Sequence, residues 1–209
     1  MPPLLRGWVH LVFFFLALPA AALVVSSAGS TRARVAAAVY GVALCALFGV
    51  SATYHRLRWS PPARRRMRRL DHATIFVMIA GSYTPLCLLV LRGATGNAIL
   101  AVAWVGAVVG VAFAATGVAE KSVVGLACYI GLGWVMVVAL PQLLRRLSAT
   151  ELLLIVVGGL LYTAGAIVLG TRRPDPSPRV FGYHEIWHVM VAAASVCHYI
   201  TIFSVVRSG

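Results

Sequence analysis

Acid is what this chain is shortest of. Its 209 residues include only five acidic side chains, Asp71, Glu120, Glu151, Asp175 and Glu185, against 18 basic ones. Charged residues together make up 11% of the chain, less than half the share usual in soluble domains, while 61% of it is hydrophobic and the mean hydropathy is +0.91. A chain so composed cannot cover itself with polar surface in water. A soluble globular protein is excluded, and an integral membrane protein follows. Lysine is nearly missing as well, since 17 of the 18 basic residues are arginine. The arginines lie between apolar runs and not on one module. That argues against nucleic-acid binding and for topology control, with attraction to anionic lipid headgroups. Cysteine is limited to Cys45, Cys87, Cys128 and Cys197, each inside an apolar run and none in a C-x-x-C. Neither a disulfide framework nor a thiolate metal cluster is expected.

What is present is seven apolar runs long enough to cross a bilayer, at about 8–28, 35–54, 73–91, 97–116, 122–141, 151–170 and 184–206. The first could be taken for a signal sequence. Its run LVFFFLALPAAALVV is long for a signal core and no strong cleavage site follows, so it is expected to remain as the first span. One side of the membrane receives Arg6, Arg56, Arg58, Arg64, Arg65, Arg66, Arg68, Arg69, Lys121, Arg172, Arg173 and Arg179, twelve basic residues. The other side receives six: Arg32, Arg34, Arg92, Arg145, Arg146 and Arg207. The positive-inside rule puts the twelve in the cytoplasm. The expectation is an all-α membrane protein with one domain over residues 1–209, a seven-transmembrane helix bundle with its N-terminus cytoplasmic and its C-terminus outside.

Ionisable side chains in or beside membrane spans are expensive and each needs a reason. His55 ends the second span, Asp71 and His72 begin the third, and His184 and His188 begin the seventh. With alternating span directions, all five fall near the cytoplasmic side at similar depth. Three imidazoles and a carboxylate suit zinc, which in catalytic sites takes three protein ligands and keeps a fourth position for water. The expected ligands are His55, His184 and His188. Asp71 would orient the water, as carboxylates beside metal ligands do. Ser51, one helical turn before His55, would hydrogen-bond substrate or water, or else its own helix backbone. His10 reads as an interfacial residue. His72 points about 100° away from Asp71, and His198 lies roughly 15 Å beyond His188 as a hydrogen-bonded core residue.

The seventh span opens with His184-Glu185-Ile186-Trp187-His188, a literal H-E-x-x-H. On a helix this pattern puts two imidazoles on one face, with the glutamate of a metalloprotease between them. A protease needs a further downstream ligand. No Asp or Glu follows Glu185, and the metzincin glycine and third histidine positions hold Val191 and Ala194. Glu185 is therefore expected to pair with a loop arginine such as Arg179, or to serve as an auxiliary base.

SATYH, LDHATIFVMIAGSYTP and GYHEIWHVMV, in that order on those spans, resemble the three motifs of the hemolysin III family. That family is related to the progestin and adipoQ receptors, which include the adiponectin receptors, and the wider superfamily contains alkaline ceramidases. The resemblance runs over essentially the whole chain. It implies a seven-helix bundle in the plasma membrane, the inner membrane of a bacterium, with zinc near the cytoplasmic face. The family's ligands fall on His55, His184 and His188, its water-binding aspartate on Asp71 and its motif serine on Ser51. Because the first span starts near residue 8, a protein-hormone receptor role is not expected, and no protein partner can be inferred. The leading expectation is a zinc-dependent hydrolase acting on a lipid amide or ester, with a ceramide-like substrate borrowed from relatives. Its rivals are a cytolytic, pore-forming protein and a membrane sensor with structural zinc.

Overall fold

The computed structural model describes residues 3–117 and 122–209. Eight α-helices account for most of them: α1 Trp8–Ser26, α2 Thr31–Arg56, α3 Pro61–Pro85, α4 Gly93–Thr116, α5 Ser122–Trp134, α6 Leu140–Arg146, α7 Ala149–Thr171 and α8 Tyr183–Ser208. A π-turn over Leu86–Val90 prolongs α3, and a 3₁₀ segment over Val135–Ala139 joins α5 to α6. Seven stretches are long and apolar enough to cross a membrane, and no named strand occurs among the described residues. These stretches coincide with the expected runs to within a few residues, except at the start of the third. Lys121, counted above with the cytoplasmic charges, lies outside the described residues.

The difference in the third span has a simple cause. Pro61 and Pro62 occupy the first turn of α3, where a missing N–H costs nothing. Arginine is a good helix former. The run Arg64–Arg69 is therefore helical and not a loop, and Asp71 sits ten residues inside α3. Polar side chains fix the other helix starts. Ser30 accepts the Ala33 amide at 3.1 Å at the head of α2, and Ser148 and Glu151 form a reciprocal capping box on α7.

The fifth span is broken at its 3₁₀ segment, which frees backbone groups that hydrocarbon cannot satisfy. Tyr83 of α3 compensates. Its hydroxyl lies 3.0 Å from the Leu132 carbonyl and 2.5 Å from the Gly133 carbonyl, and it accepts the Met136 amide at 3.2 Å. Many large side chains on the outer faces, such as Phe15, Val42, Val108 and Leu153, are exposed, as lipid-facing residues are. Inside, alanines of α1 and α2 pack with Phe48, Trp187 and Ile202, and a second apolar cluster joins α3, α4 and the broken fifth span. Small residues let helices approach closely where lipid supplies no hydrophobic drive for them to associate. Helix α1 packs on both α2 and α8, so the first and last spans are neighbours.

Candidate metal centre

Helix α8 carries His184 and His188 one turn apart, and the end of α2 brings His55 across to them. One ring nitrogen from each of the three histidines lies within 4.8 Å of the others. The Nε2 atoms of His55 and His184 are 3.2 Å apart. Tetrahedral zinc with bonds of ~2.0–2.1 Å would hold its ligand nitrogens roughly 3.3 Å apart, so this pair has the spacing that zinc needs. His188 is buried, and its Nδ1 has no hydrogen-bond partner among the described residues. A buried polar atom left unsatisfied is costly, and an ion or a water held by the cluster would supply what is missing. The donor set, three imidazoles with a carboxylate alongside, therefore fits zinc.

The carboxylate is Asp71, whose Oδ2 is 3.9 Å from His55 Nε2. Buried Ser51 lies close enough to interact with that carboxyl group. Ser51, Asp71, His184 and His188 all border a cavity of about 490 Å³ that continues deep into the bundle, past Tyr162 to His198. His72 also borders it, but its Nδ1 is 2.7 Å from the Arg68 carbonyl, one turn back, so the ring is engaged away from the cluster.

A family model described as Haemolysin-III related matches residues 2–199. The chain belongs to this family. It is 34% identical over 190 residues to Hemolysin-3 of Bacillus cereus, covering 89% of this chain and 83% of that one. It is 28% identical over 196 residues to the Hemolysin-3 homolog of Bacillus subtilis, covering 92% and 89%. Over 174 residues it is 28% identical to the human monocyte to macrophage differentiation factor, covering 81% and 70%. With its seven membrane-spanning stretches, this haemolysin-III related chain is a multi-pass integral membrane protein of the plasma membrane.

Two features of the centre depart from expectation. His10 is not an interfacial residue. It is 3% exposed, stacked on the His188 ring at 3.8 Å between centroids and edge-on to Phe48, and neither ring nitrogen has a partner among the described residues. Stacking aligns the two ring planes within 15°. Lone pairs in parallel planes do not converge, so His10 packs against a member of the histidine cluster and does not join its convergent nitrogens. The depth count that grouped His55, Asp71, His184 and His188 would have found it, since it too sits just inside a span entering from the same side.

Glu185 pairs with Arg6 and not with Arg179. Its Oε1 accepts from Arg6 Nε at 2.5 Å and its Oε2 from the Gly182 amide at 2.8 Å. The N-terminal segment that supplies Arg6 is itself pinned, because the Leu4 and Leu5 amides donate to the Arg179 and Val180 carbonyls at 3.0 and 3.1 Å. It then passes over His55 through Gly7, whose φ is 78°. A Cβ at Gly7 would lie 2.6 Å from that of His55, so both the backbone turn and the close approach require glycine. Arg56 stacks on Trp8 at 4.2 Å and completes the clasp.

Proposed function

We propose that the protein is a zinc-dependent hydrolase that cleaves an amide or ester bond of a membrane lipid. The observation that carries this reading is a cluster of three imidazoles, two of which, His184 and His188, border a large intramembrane cavity together with a carboxylate and a serine. His55, His184 and His188 would hold the ion. Bound there, zinc polarises a carbonyl and makes water more acidic. Asp71 is too far from His55 for a direct hydrogen bond, which leaves its oxygen free to accept a proton from water beside the imidazoles. Ser51 steadies that carboxyl group. The apolar walls deeper in take the lipid's acyl chain, which enters between helices and keeps bulk water away. Glu185 has both oxygens engaged and is not the base that a protease-like reading requires.

We further propose that the N-terminus is cytoplasmic. Exposed arginines such as Arg64, Arg65 and Arg66, on the extension of α3 beyond the membrane, would then meet anionic headgroups of the inner leaflet. Reporter fusions at the two termini check the orientation, with activity of a cytoplasm-only reporter expected at residue 1 and not at Gly209. The hydrolase reading is tested by incubating purified protein, with zinc and after chelation, with a panel of lipid amides and esters. Zinc-dependent release of fatty acid is expected. Absence of release from every member of the panel overturns it.

A second reading comes from the name Hemolysin-3 that the Bacillus relatives carry, which ascribes red-cell lysis to them. On that reading the purified protein would release contents from lipid vesicles, and His188→Ala would not alter the leak. A sensor with structural zinc would instead bind the ion with four protein ligands. X-ray absorption that resolved a fourth protein ligand would favour it.

A further inference from the structure

The cavity has a second polar locus, far from the histidine cluster. Tyr162 of α7 and His198 and Thr201 of α8 border it there. Ten residues of uninterrupted α8 separate His188 from His198, which sets them about 15 Å apart along the helix. Among the described residues no charged side chain borders this end; its other walls include Leu143, Leu152 and Ile202.

The hydrogen bonds at this locus leave one acceptor and one donor unspent. His198 Nε2 is 3.4 Å from the Ile155 carbonyl. A carbonyl can only accept, so the proton is on Nε2 and Nδ1 keeps its lone pair. The described residues give that ring no second partner. The Tyr162 and Ser195 hydroxyls are 2.8 Å apart. Between them they hold two protons, of which their mutual bond uses one. The Tyr162 ring meets the His198 ring edge-on at 5.5 Å, so the two side chains sit side by side on the cavity wall. Gly158 makes this possible, because a Cβ there would overlap the His198 imidazole.

We propose that this locus binds a neutral hydroxyl group carried midway along the acyl chain of the lipid. The inference rests on the hydrolase reading for the position of the lipid carbonyl at the histidine cluster. A hydroxyl both donates and accepts, and so satisfies His198 Nδ1 and the spare hydroxyl proton together. A ketone or ether would satisfy only one of them, and an amine would bring a charge into an apolar site. The 15 Å depth excludes a hydroxyl next to the scissile carbonyl and selects one well down the chain. Because unpaired polar groups are costly away from water, an unsubstituted chain is penalised at this locus as well as unrewarded.

The test is a binding comparison with purified full-length protein in detergent. Octadecanoic acid and its mid-chain hydroxylated analogue each displace a fluorescent fatty acid. Both correspond to hydrolysis products, so no turnover is required. The hydroxylated acid is expected to bind about fivefold tighter or more, the worth of one neutral hydrogen bond. His198→Leu and Tyr162→Phe should each bring that ratio close to one while metal content stays at the wild-type level. Equal binding of the two acids by the wild-type protein overturns the inference and leaves the hydrolase reading standing. Binding of neither acid overturns both. A preference that persists in both variants, or one equally strong for an acid hydroxylated beside its carboxyl group, also overturns it.

Discussion

Two carboxylates flank the same histidines, and the protein treats them oppositely. Glu185 is 1% exposed and uses one oxygen on Arg6 and the other on the head of its own helix. Asp71, 17% exposed at its side chain, borders the cavity beside Ser51 and approaches His55 without a direct bond. A carboxylate whose lone pairs are spent on fixed donors is a fastener. One with an oxygen free toward a cavity can move a proton. The pentapeptide that looks most like catalysis in the sequence thus contributes its glutamate to architecture, while an aspartate on another helix stands where chemistry is possible.

The comparison presumes that the histidines hold an ion, and the largest expected effect tests that. His184→Ala or His188→Ala should take zinc from about one per chain to near zero, since a catalytic site has only three protein ligands. Metal analysis of the purified variants checks this. Next come the carboxylates themselves. Asp71→Asn should lower lipid hydrolysis by about tenfold or more with metal retained. Glu185→Gln should keep turnover and metal near the wild-type level, while losing about 1–3 kcal/mol of stability from its charge-assisted bonds. Thermal melts and turnover measured side by side separate the two. Full activity in Asp71→Asn beside a dead but folded Glu185→Gln would reverse the comparison.

A smaller effect is expected at His10. His10→Ala should weaken metal affinity about tenfold, the lower end for loss of a group supporting a ligand. His10→Phe should restore most of it, because a phenyl ring keeps the stack on His188. Competition with a zinc chelator reads both. Equal loss in the two variants would move the effect from the ring face to the ring nitrogens. Smallest in its effect on the metal is Gly7→Ala, which forces a side chain into the left-handed region at a cost of about 1–2 kcal/mol and crowds His55. A lowered melting temperature with metal still bound is expected.

The seven spans were legible because hydropathy over twenty or so residues is a property of local composition. His55, Asp71, His184 and His188 were legible because alternating span directions convert position in sequence into depth. What escaped depends on contacts between distant segments. The Arg6–Glu185 pair joins residues 179 apart, and no local pattern selects Arg6 over Arg179. The repair of the broken fifth span by Tyr83 bridges about fifty residues. His10 was set aside on the ordinary behaviour of a histidine at a membrane surface, although its depth already matched the cluster. The arginine run that opens α3 lies ahead of the third apolar run, so hydropathy does not reach it; the proline start and arginine's helix propensity are what make it helical.

The adjacency of α1 and α8 bears on how the protein is made. Spans leave the ribosome in order, and the last of them brings two of the three clustered histidines together with the partner of Arg6. A nascent chain halted before Tyr183 would already contain His10, Ser51, His55 and Asp71 yet have only one of the three clustered histidines. On the zinc reading proposed above, metal capture would thereby be tied to completed insertion: the ion would be retained only once the final helix had closed against the first, and a half-built bundle would stay chemically silent.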